Sequence, residues 1–174
     1  VDEALAIDDI KAFIAAKDLD DEHKYIPPMV STTREPFEQK IGIVGSGPAG
    51  LSCAYFLAIE GYKPVVFEKQ EMPGGMMTLG IPNFRLDKKV VNAEIEILKE
   101  MGVEIRCGVE VGKDVTFQSL REEGFKGFFV GTGLQACGKL GIPGDDAEGV
   151  IGGVDYVKSV TLGKAKKLSG NVDS

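Results

Sequence analysis

The feature that most constrains this chain is a glycine-rich turn between an apolar run and an apolar, helix-forming segment. Residues 45–50 read Gly-Ser-Gly-Pro-Ala-Gly and fit the pattern GxGxxG. The pattern alone is weak, because a chain with 23 glycines among 174 residues is expected to match it about 0.4 times by chance. Here residues 41–44 precede the turn as a candidate buried strand, and residues 49–60 follow it as a candidate helix. A second apolar run at residues 65–67 completes a βαβ unit.

Each glycine of this turn has a physical role in nucleotide binding. Gly45 permits the tight turn, Gly47 lets the backbone approach a pyrophosphate, and Gly50 lets the helix pack closely on the strand. The first N–H groups of the helix have no partners inside it, and the helix dipole places roughly half a positive charge beside them. Both features favour a bound phosphate. We therefore predict a dinucleotide site that includes Gly45, Ser46, Gly47, Pro48, Ala49 and Gly50. The alternative is a glycine-rich turn that holds no ligand.

An acidic residue ends the second strand of the unit. Glu68 follows Val-Val-Phe about 20 residues after the glycines, where a carboxylate accepts hydrogen bonds from the hydroxyls of an adenosine ribose. The same carboxylate would repel a 2′-phosphate, so we expect this site to exclude NADPH. The alternative interpretation of Glu68 is a solvated charge at a strand end.

A second glycine motif lies further along the chain. Residues 131–136 follow another apolar run and fit GxGxxA. The segment after them contains Pro143 and several glycines, which does not favour a helix. We interpret this motif as a tight exit from a strand near the ligand, and not as a second nucleotide-binding unit.

The order of predicted elements indicates an α/β fold with a Rossmann-like parallel sheet, right-handed crossovers and flanking helices. Upstream, residues 2–17 are predicted to form an amphipathic helix and residues 18–39 an extended linker. We therefore divide the chain into an N-terminal arm at 1–39 and a nucleotide-binding domain at 40–174. The other predicted elements are a helix over 88–101, a strand over 103–107, a short helix near Leu120, a strand over 128–130, a glycine-rich loop over 138–153 and a helix over 154–162.

Composition excludes several other classes of protein. The net charge of −7 does not favour nucleic acid or an anionic membrane as a partner. The three cysteines form no CxxC pair, and His23 is the only histidine, so we expect no metal site in this chain. An odd, sparse set of cysteines is typical of reduced thiols in a cytoplasmic protein.

Several motifs together resemble one known family. They are GSGPAGL, FEK, PGG, GIPxFRL, FVGTG and LGIPG, and they run through nearly the whole chain. The chain resembles the FAD domain of the glutamate synthase small (β) subunit family, which is similar to a domain of dihydropyrimidine dehydrogenase and of related NAD(P)H-dependent flavoproteins. The resemblance implies a glutathione-reductase-like FAD/NAD(P)-binding fold. Two positions depart from the family's usual IPEFRLP stretch, Asn83 and Asp87.

The resemblance implies where each part of FAD would lie. The phosphates would lie at the glycine turn and the ribose at Glu68, followed by Lys69. The segment from the paired glycines through Arg85 would run beside the flavin ring, and the backbone of Val111 would approach the adenine. The residues that the resemblance adds to the site are Lys69, Gly74, Gly75, Met76, Arg85, Val111, Gly131, Thr132 and Gly133.

The implied activity is electron transfer between NAD(P)H, flavin and iron–sulfur clusters. Motifs for the NAD(P)H module and for the clusters are not found in this sequence, so we expect NAD(P)H and the clusters to be bound by parts outside this chain. We therefore interpret the chain as a piece of a larger flavoprotein. Arg85 and Lys88 are candidate cations for the flavin ring, with a solvated surface charge as the alternative for each. Cys137 is expected to be an inert packed thiol, and Met72, Met76 and Met77 are expected to fill gaps against the cofactor or the core. No catalytic residue is assigned. The competing functions are an NAD-binding dehydrogenase domain without flavin and a non-catalytic fragment.

Overall fold

The computed structural model describes residues 4–29 and 35–165. Within these residues the chain alternates strands and helices, as the sequence predicts. The elements are α1 Ile7–Asp20, β1 Lys40–Val44, α2 Pro48–Ile59, β2 Lys63–Glu68, α3 Met76–Leu79, α4 Lys88–Glu100, β3 Glu104–Cys107, α5 Phe117–Glu122, β4 Phe125–Val130 and α6 Gly153–Thr161.

The four strands form one parallel sheet in the order β3-β2-β1-β4. The first strand of the chain is therefore central, with β2 on one side and β4 on the other. Val44 at the end of β1 pairs with Phe67 of β2 and with Val130 of β4. Because the strands are parallel, their carboxyl ends meet at one edge, where α/β folds place their ligands.

The core lies on both faces of the sheet. On one face Val66 packs with Ile43 and with buried residues of α2 and α4, such as Leu51 and Ile95. On the other face Val65 and Phe67 pack with the buried residues of α5 and β4, Leu120 and Phe125. The side chains of β2 alternate between the two faces, as the period of a strand requires. The short apolar runs of the sequence are thus strands covered on both sides.

The N-terminal arm differs in part from its prediction. Its helix ends at Asp20 and not at residue 17, so the first residues assigned to the extended linker are helical. Pro27 and Pro28 are the first strong helix breakers in the segment, which leaves the helix free to continue past Lys17. Residues 1–3 and 30–34 lie outside the described residues, and so do residues 166–174, which include the segment Leu168–Val172.

Other boundaries shift by a few residues. The strand expected over 128–130 begins at Phe125, and the strand expected from Val103 begins one residue later. The four-residue helix α3 was not predicted, because it is shorter than the helical period that a sequence pattern needs. The glycine-rich segment after β4 has no helix until α6, so within the described residues no helix begins directly after residues 131–136, as predicted.

Two kinds of feature are absent from the described residues. No helix there is long and apolar enough to cross a bilayer. No group of His, Cys, Asp and Glu in the same residues has the arrangement of a metal site.

Candidate functional site

The predicted turn connects β1 directly to α2 at the carboxyl edge of the sheet. Gly45 has φ +100°, a conformation that an L side chain rarely adopts, and its N–H donates to the Phe67 carbonyl at 2.8 Å. Gly47 is the residue before α2, and Pro48 takes the first helical position, where its missing N–H costs nothing. Pro48 and Ala49 are exposed, so the turn is open to a ligand.

The glycines of the turn meet other segments through their backbones. A Cβ on Gly50 would overlap the carbonyl oxygen of Gly45, so only glycine lets the helix lie this close to the turn. A Cβ on Gly45 would lie 2.5 Å from the carbonyl oxygen of Gly131, and one on Gly75 would lie 2.8 Å from Cα of Gly47. Three glycine-containing segments therefore converge, as the predicted site requires.

Gly47 is different from its neighbours in the turn. Its φ is −70°, and a Cβ built there would meet no atom within 4 Å. The missing side chain at this position therefore leaves open space, whereas at Gly45 and Gly50 it allows close packing. The open space lies beside the N-terminus of α2, whose first N–H groups lack partners inside the helix.

Glu68 faces the turn and is almost completely buried, with 4% of its surface exposed. Its Oε2 accepts from the Ser46 N–H at 3.0 Å and from the Ser46 hydroxyl at 2.6 Å. Its Oε1 accepts from the Gln70 N–H at 2.9 Å. Because hydrogen bonds hold the carboxylate in place, Glu68 is not a freely solvated charge at a strand end.

A first cleft opens beside this carboxylate, with about 480 Å³ of empty volume that includes open solvent. It brings together residues from the ends of several strands and from the loop after β3. Five of them belong to the predicted site: Gly45, Glu68, Lys69, Val111 and Thr132. These residues lie up to 87 positions apart in the sequence, and the parallel sheet brings them together in space.

A second cleft lies next to the first and shares Lys69 and Gln135 with it. It is lined by Met76 and Leu79 of α3, and by Asp155 and Lys158 of α6. The two clefts therefore extend from the end of β3 to the first turn of α3.

The segment from Gly74 to Arg85 runs on from the turn. The Gly74 N–H donates to the Ser46 carbonyl at 3.0 Å and lies 3.1 Å from the Ser46 hydroxyl oxygen. Both Gly74 and Gly75 have positive φ, 108° and 55°, and both are buried. Arg85 is exposed on the loop between α3 and α4 and does not line either cleft.

Lys88 occupies a structural position. Its ammonium donates to the Met77 carbonyl at 2.6 Å and also to the Ile81 carbonyl. These carbonyls lie in and just after α3, where a cation is favourable because the C-terminal end of a helix is negative. The two residues that depart from the family pattern accept hydrogen bonds from N–H groups in the first turn of α4. Asn83 accepts from the Lys88 N–H at 3.2 Å, and Asp87 accepts from the Lys89 N–H at 2.9 Å.

The three cysteines are all free thiols. Burial raises the pKa of Cys53, and burial together with the negative charge of Glu68 raises the pKa of Cys107, although Lys99 lowers it. A raised pKa leaves less thiolate and makes both groups less reactive at neutral pH. Cys137 packs against Gly152, which has no room for a side chain.

Sequence reasoning missed several residues of the two clefts. Gln135 lines both clefts, and Val109 and Glu110 line the first. Gln135 could have been included, because it lies within the same motif as Thr132. The residues that α6 contributes to the second cleft could not have been predicted, because no local pattern shows that this helix packs near α3.

Comparison with a family model agrees with this geometry. Residues 43–98 match the model described as an NAD(P)-binding Rossmann-like domain. The matched range begins near the end of β1, stops two residues before the end of α4, and contains both the glycine turn and Glu68.

Two curated relatives align with most of the chain. The NADP(+)-dependent formate dehydrogenase subunit beta of Moorella thermoacetica is 40% identical over 143 residues, covering 81% of this chain and 20% of the relative. The glutamate synthase (NADPH) small chain of Halomonas elongata is 44% identical over 120 residues, covering 69% of this chain and 25% of the relative. The chain thus spans about a fifth to a quarter of the length of these relatives.

A solved structure shares the fold. A mutant of FprA from Mycobacterium tuberculosis superposes with a TM-score of 0.62 at 25% identity, covering 71% of this chain and 29% of that chain. A Rossmann-like parallel sheet with flanking helices is therefore common to both molecules.

Proposed function

Because this chain belongs to the family of the glutamate synthase small chain and related NADPH-dependent oxidoreductase subunits, we propose that it forms the first part of an FAD site. The observation that carries the proposal is the meeting of three features at one edge of the sheet. These are the buried carboxylate of Glu68, the open side of Gly47 and the N-terminus of α2. Together they match an adenosine joined to a diphosphate.

The first cleft suits the adenosine. It is lined by Glu68, Lys69 and Thr132, which offer polar groups to a nucleoside. Glu68 lines the cleft and accepts hydrogen bonds from ribose hydroxyls. Val111 also lines this cleft, where its backbone would approach the adenine edge. The negative charge of Glu68 disfavours a 2′-phosphate, so NADPH would be bound by parts outside this chain.

The turn suits the pyrophosphate. The N–H groups of Ala49 and Gly50 begin α2 and have no partner inside the helix. A diphosphate beside Gly47 would accept from them and complement the positive end of the helix dipole. Lys69 is exposed at the junction of the two clefts and adds a positive charge within the same region.

The second cleft suits the flavin end of the cofactor. Met76 lines it directly after the paired glycines, whose backbone packs on Gly47. When bound, FAD would accept a hydride from NAD(P)H and release single electrons to iron–sulfur clusters held elsewhere in the larger protein. Of the two candidate cations, Lys88 already binds main-chain carbonyls. Arg85 is exposed and lines neither cleft, so its place beside the ring rests on the family resemblance alone.

The proposal is tested by adding cofactors to the full chain. We expect FAD to bind with quenched flavin fluorescence and to raise the melting temperature. A ligand at 100 times its Kd adds about 2.7 kcal/mol to the free energy of unfolding. NADPH at the same concentration is expected to leave the melting temperature unchanged, since Glu68 repels its 2′-phosphate.

A pair of carboxyl variants supplies the control. Glu68→Gln should weaken FAD binding, because the amide accepts fewer hydrogen bonds than the carboxylate. Glu71→Gln removes an exposed charge nearby and should bind FAD as the parent chain does. A colourless chain that NADH or NADPH stabilises and FAD does not would support the dehydrogenase alternative. A chain that binds none of these ligands would support the non-catalytic one.

A further inference from the structure

Ser46 connects three segments of the site, although the glycine pattern specifies nothing at its position. It is completely buried, at 0% exposure. Its hydroxyl donates to Glu68 Oε2 at 2.6 Å, and its oxygen accepts from the Gly74 N–H at 3.1 Å. One hydroxyl group therefore links the turn, the end of β2 and the paired glycines before α3.

The hydrogen bonds of Glu68 show what this link does. A carboxylate offers about four lone-pair positions to donors. Ser46 supplies two donors to Oε2, its N–H and its hydroxyl, and the Gln70 N–H occupies one position on Oε1. Oε1 is thus the atom with acceptor capacity left for a ligand that enters the first cleft.

We propose that Ser46 is a positioning residue that holds Glu68 in one orientation and so presents Oε1 to a ribose hydroxyl. The inference rests on the proposed FAD site and concerns how that site selects its ligand. Ser46 also fixes the segment from Pro73 to Gly75 through the Gly74 N–H. The Ser46 hydroxyl therefore fixes Glu68, on the adenosine side of the site, relative to Gly74, on the flavin side, before a ligand binds.

The hydroxyl can be removed without leaving a buried polar atom unpaired. In Ser46→Ala the backbone N–H still donates to Glu68 Oε2, and the Gly74 N–H still has the Ser46 carbonyl at 3.0 Å. The variant is therefore expected to fold. What it loses is the short hydrogen bond that restricts rotation of the Glu68 carboxylate.

The test compares ligands that differ in a single hydroxyl. FAD bound to the full chain is displaced by ADP, by 2′-deoxy-ADP and by 3′-deoxy-ADP, and the inhibition constants are measured. The parent chain should prefer ADP to at least one deoxy analogue by about tenfold, the value of one good hydrogen bond. Ser46→Ala should reduce that preference to about threefold or less, and Ser46→Thr, which keeps the hydroxyl, should restore it.

Ser52→Ala is the matched control, because Ser52 is exposed on α2 and lines neither cleft. It should leave the preference unchanged. If Ser46→Ala binds FAD and keeps the full preference for ADP, the inference is wrong and the FAD site stands. The inference also fails if all three nucleotides weaken equally, since that is the result of general loosening.

Two further outcomes are separable. If Ser46→Ala does not fold, the same comparison is made with Ser46→Cys, whose thiol is a weak donor. A Ser46→Cys chain with the parent preference would overturn the inference. Failure of the parent chain to bind FAD would contradict the proposed function itself.

Discussion

Gly47 and Gly50 lie in the same turn but meet different surroundings, and alanine at each position tests them separately. Gly47→Ala should lower the free energy of unfolding of the ligand-free chain by about 1 kcal/mol or less, because alanine is a poorer helix N-cap than glycine. The new methyl group would project into open space beside the helix N-terminus. FAD affinity should fall at least about tenfold, because the methyl displaces the phosphate from the N–H groups. Urea denaturation and flavin fluorescence measure the two effects.

Gly50→Ala is the matched comparison. Its methyl group would overlap the Gly45 carbonyl oxygen. The chain should therefore lose about 1–3 kcal/mol of stability even without ligand, as in other overpacked sites. The interpretation of Gly47 as a ligand-facing position is contradicted if both variants lose stability equally, or if Gly47→Ala binds FAD as the parent chain does.

At the scale of single elements, the start of α4 depends on Asp87, one of the two residues that depart from the family pattern. Asp87 is its N-cap, and the side chain accepts from the Lys89 N–H at 2.9 Å. Asp87→Ala should lower the free energy of unfolding by about 1 kcal/mol, measured by urea denaturation. Asp87→Asn keeps the acceptor and should remain within a few tenths of a kcal/mol of the parent chain. An alanine variant as stable as the asparagine variant would show that the cap contributes nothing.

Most elements could be predicted because their apolar patterns are strong and local. The helix α4 has its buried residues Val91, Ile95 and Leu98 at helical spacing, and the sequence predicts it within one residue at its end. The pattern of α1 also predicts a helix, but it cannot show what the apolar face packs against. Ile7, Ile10 and Phe13 remain 53–64% exposed. A periodic pattern thus predicts that a helix forms, but it does not predict which elements the helix packs against.

At the scale of the whole molecule, predictability follows the number of segments that must meet. Glu68 and the glycine turn were predicted from the residues alone, because a single βαβ unit fixes their distance. Val111 came only from the family resemblance, whereas the motif that contains Thr132 was placed near the ligand by its own pattern, and the sheet brings both residues into the cleft with Glu68. Glu110 and Lys158 were not predicted at all, since their positions depend on loops and on α6, for which spacing carries no signal.

The N-terminal arm provides a test of where the folded domain begins, which the sequence places at residue 40. Helix α1 buries none of its residues, whereas Phe37 stacks on Tyr62 with ring centroids 4.4 Å apart and donates its N–H to the Gly61 carbonyl at 2.7 Å. Deleting residues 1–24 should therefore change the free energy of unfolding by less than about 1 kcal/mol. Deleting residues 1–38 should cost about 1–3 kcal/mol, from the lost ring stack and hydrogen bond. Urea denaturation of both shortened chains, with Phe37→Ala as the point-variant control, measures this difference. Equal stability of the two would place the boundary at residue 40, and a large loss in the shorter deletion would show that α1 is part of the domain.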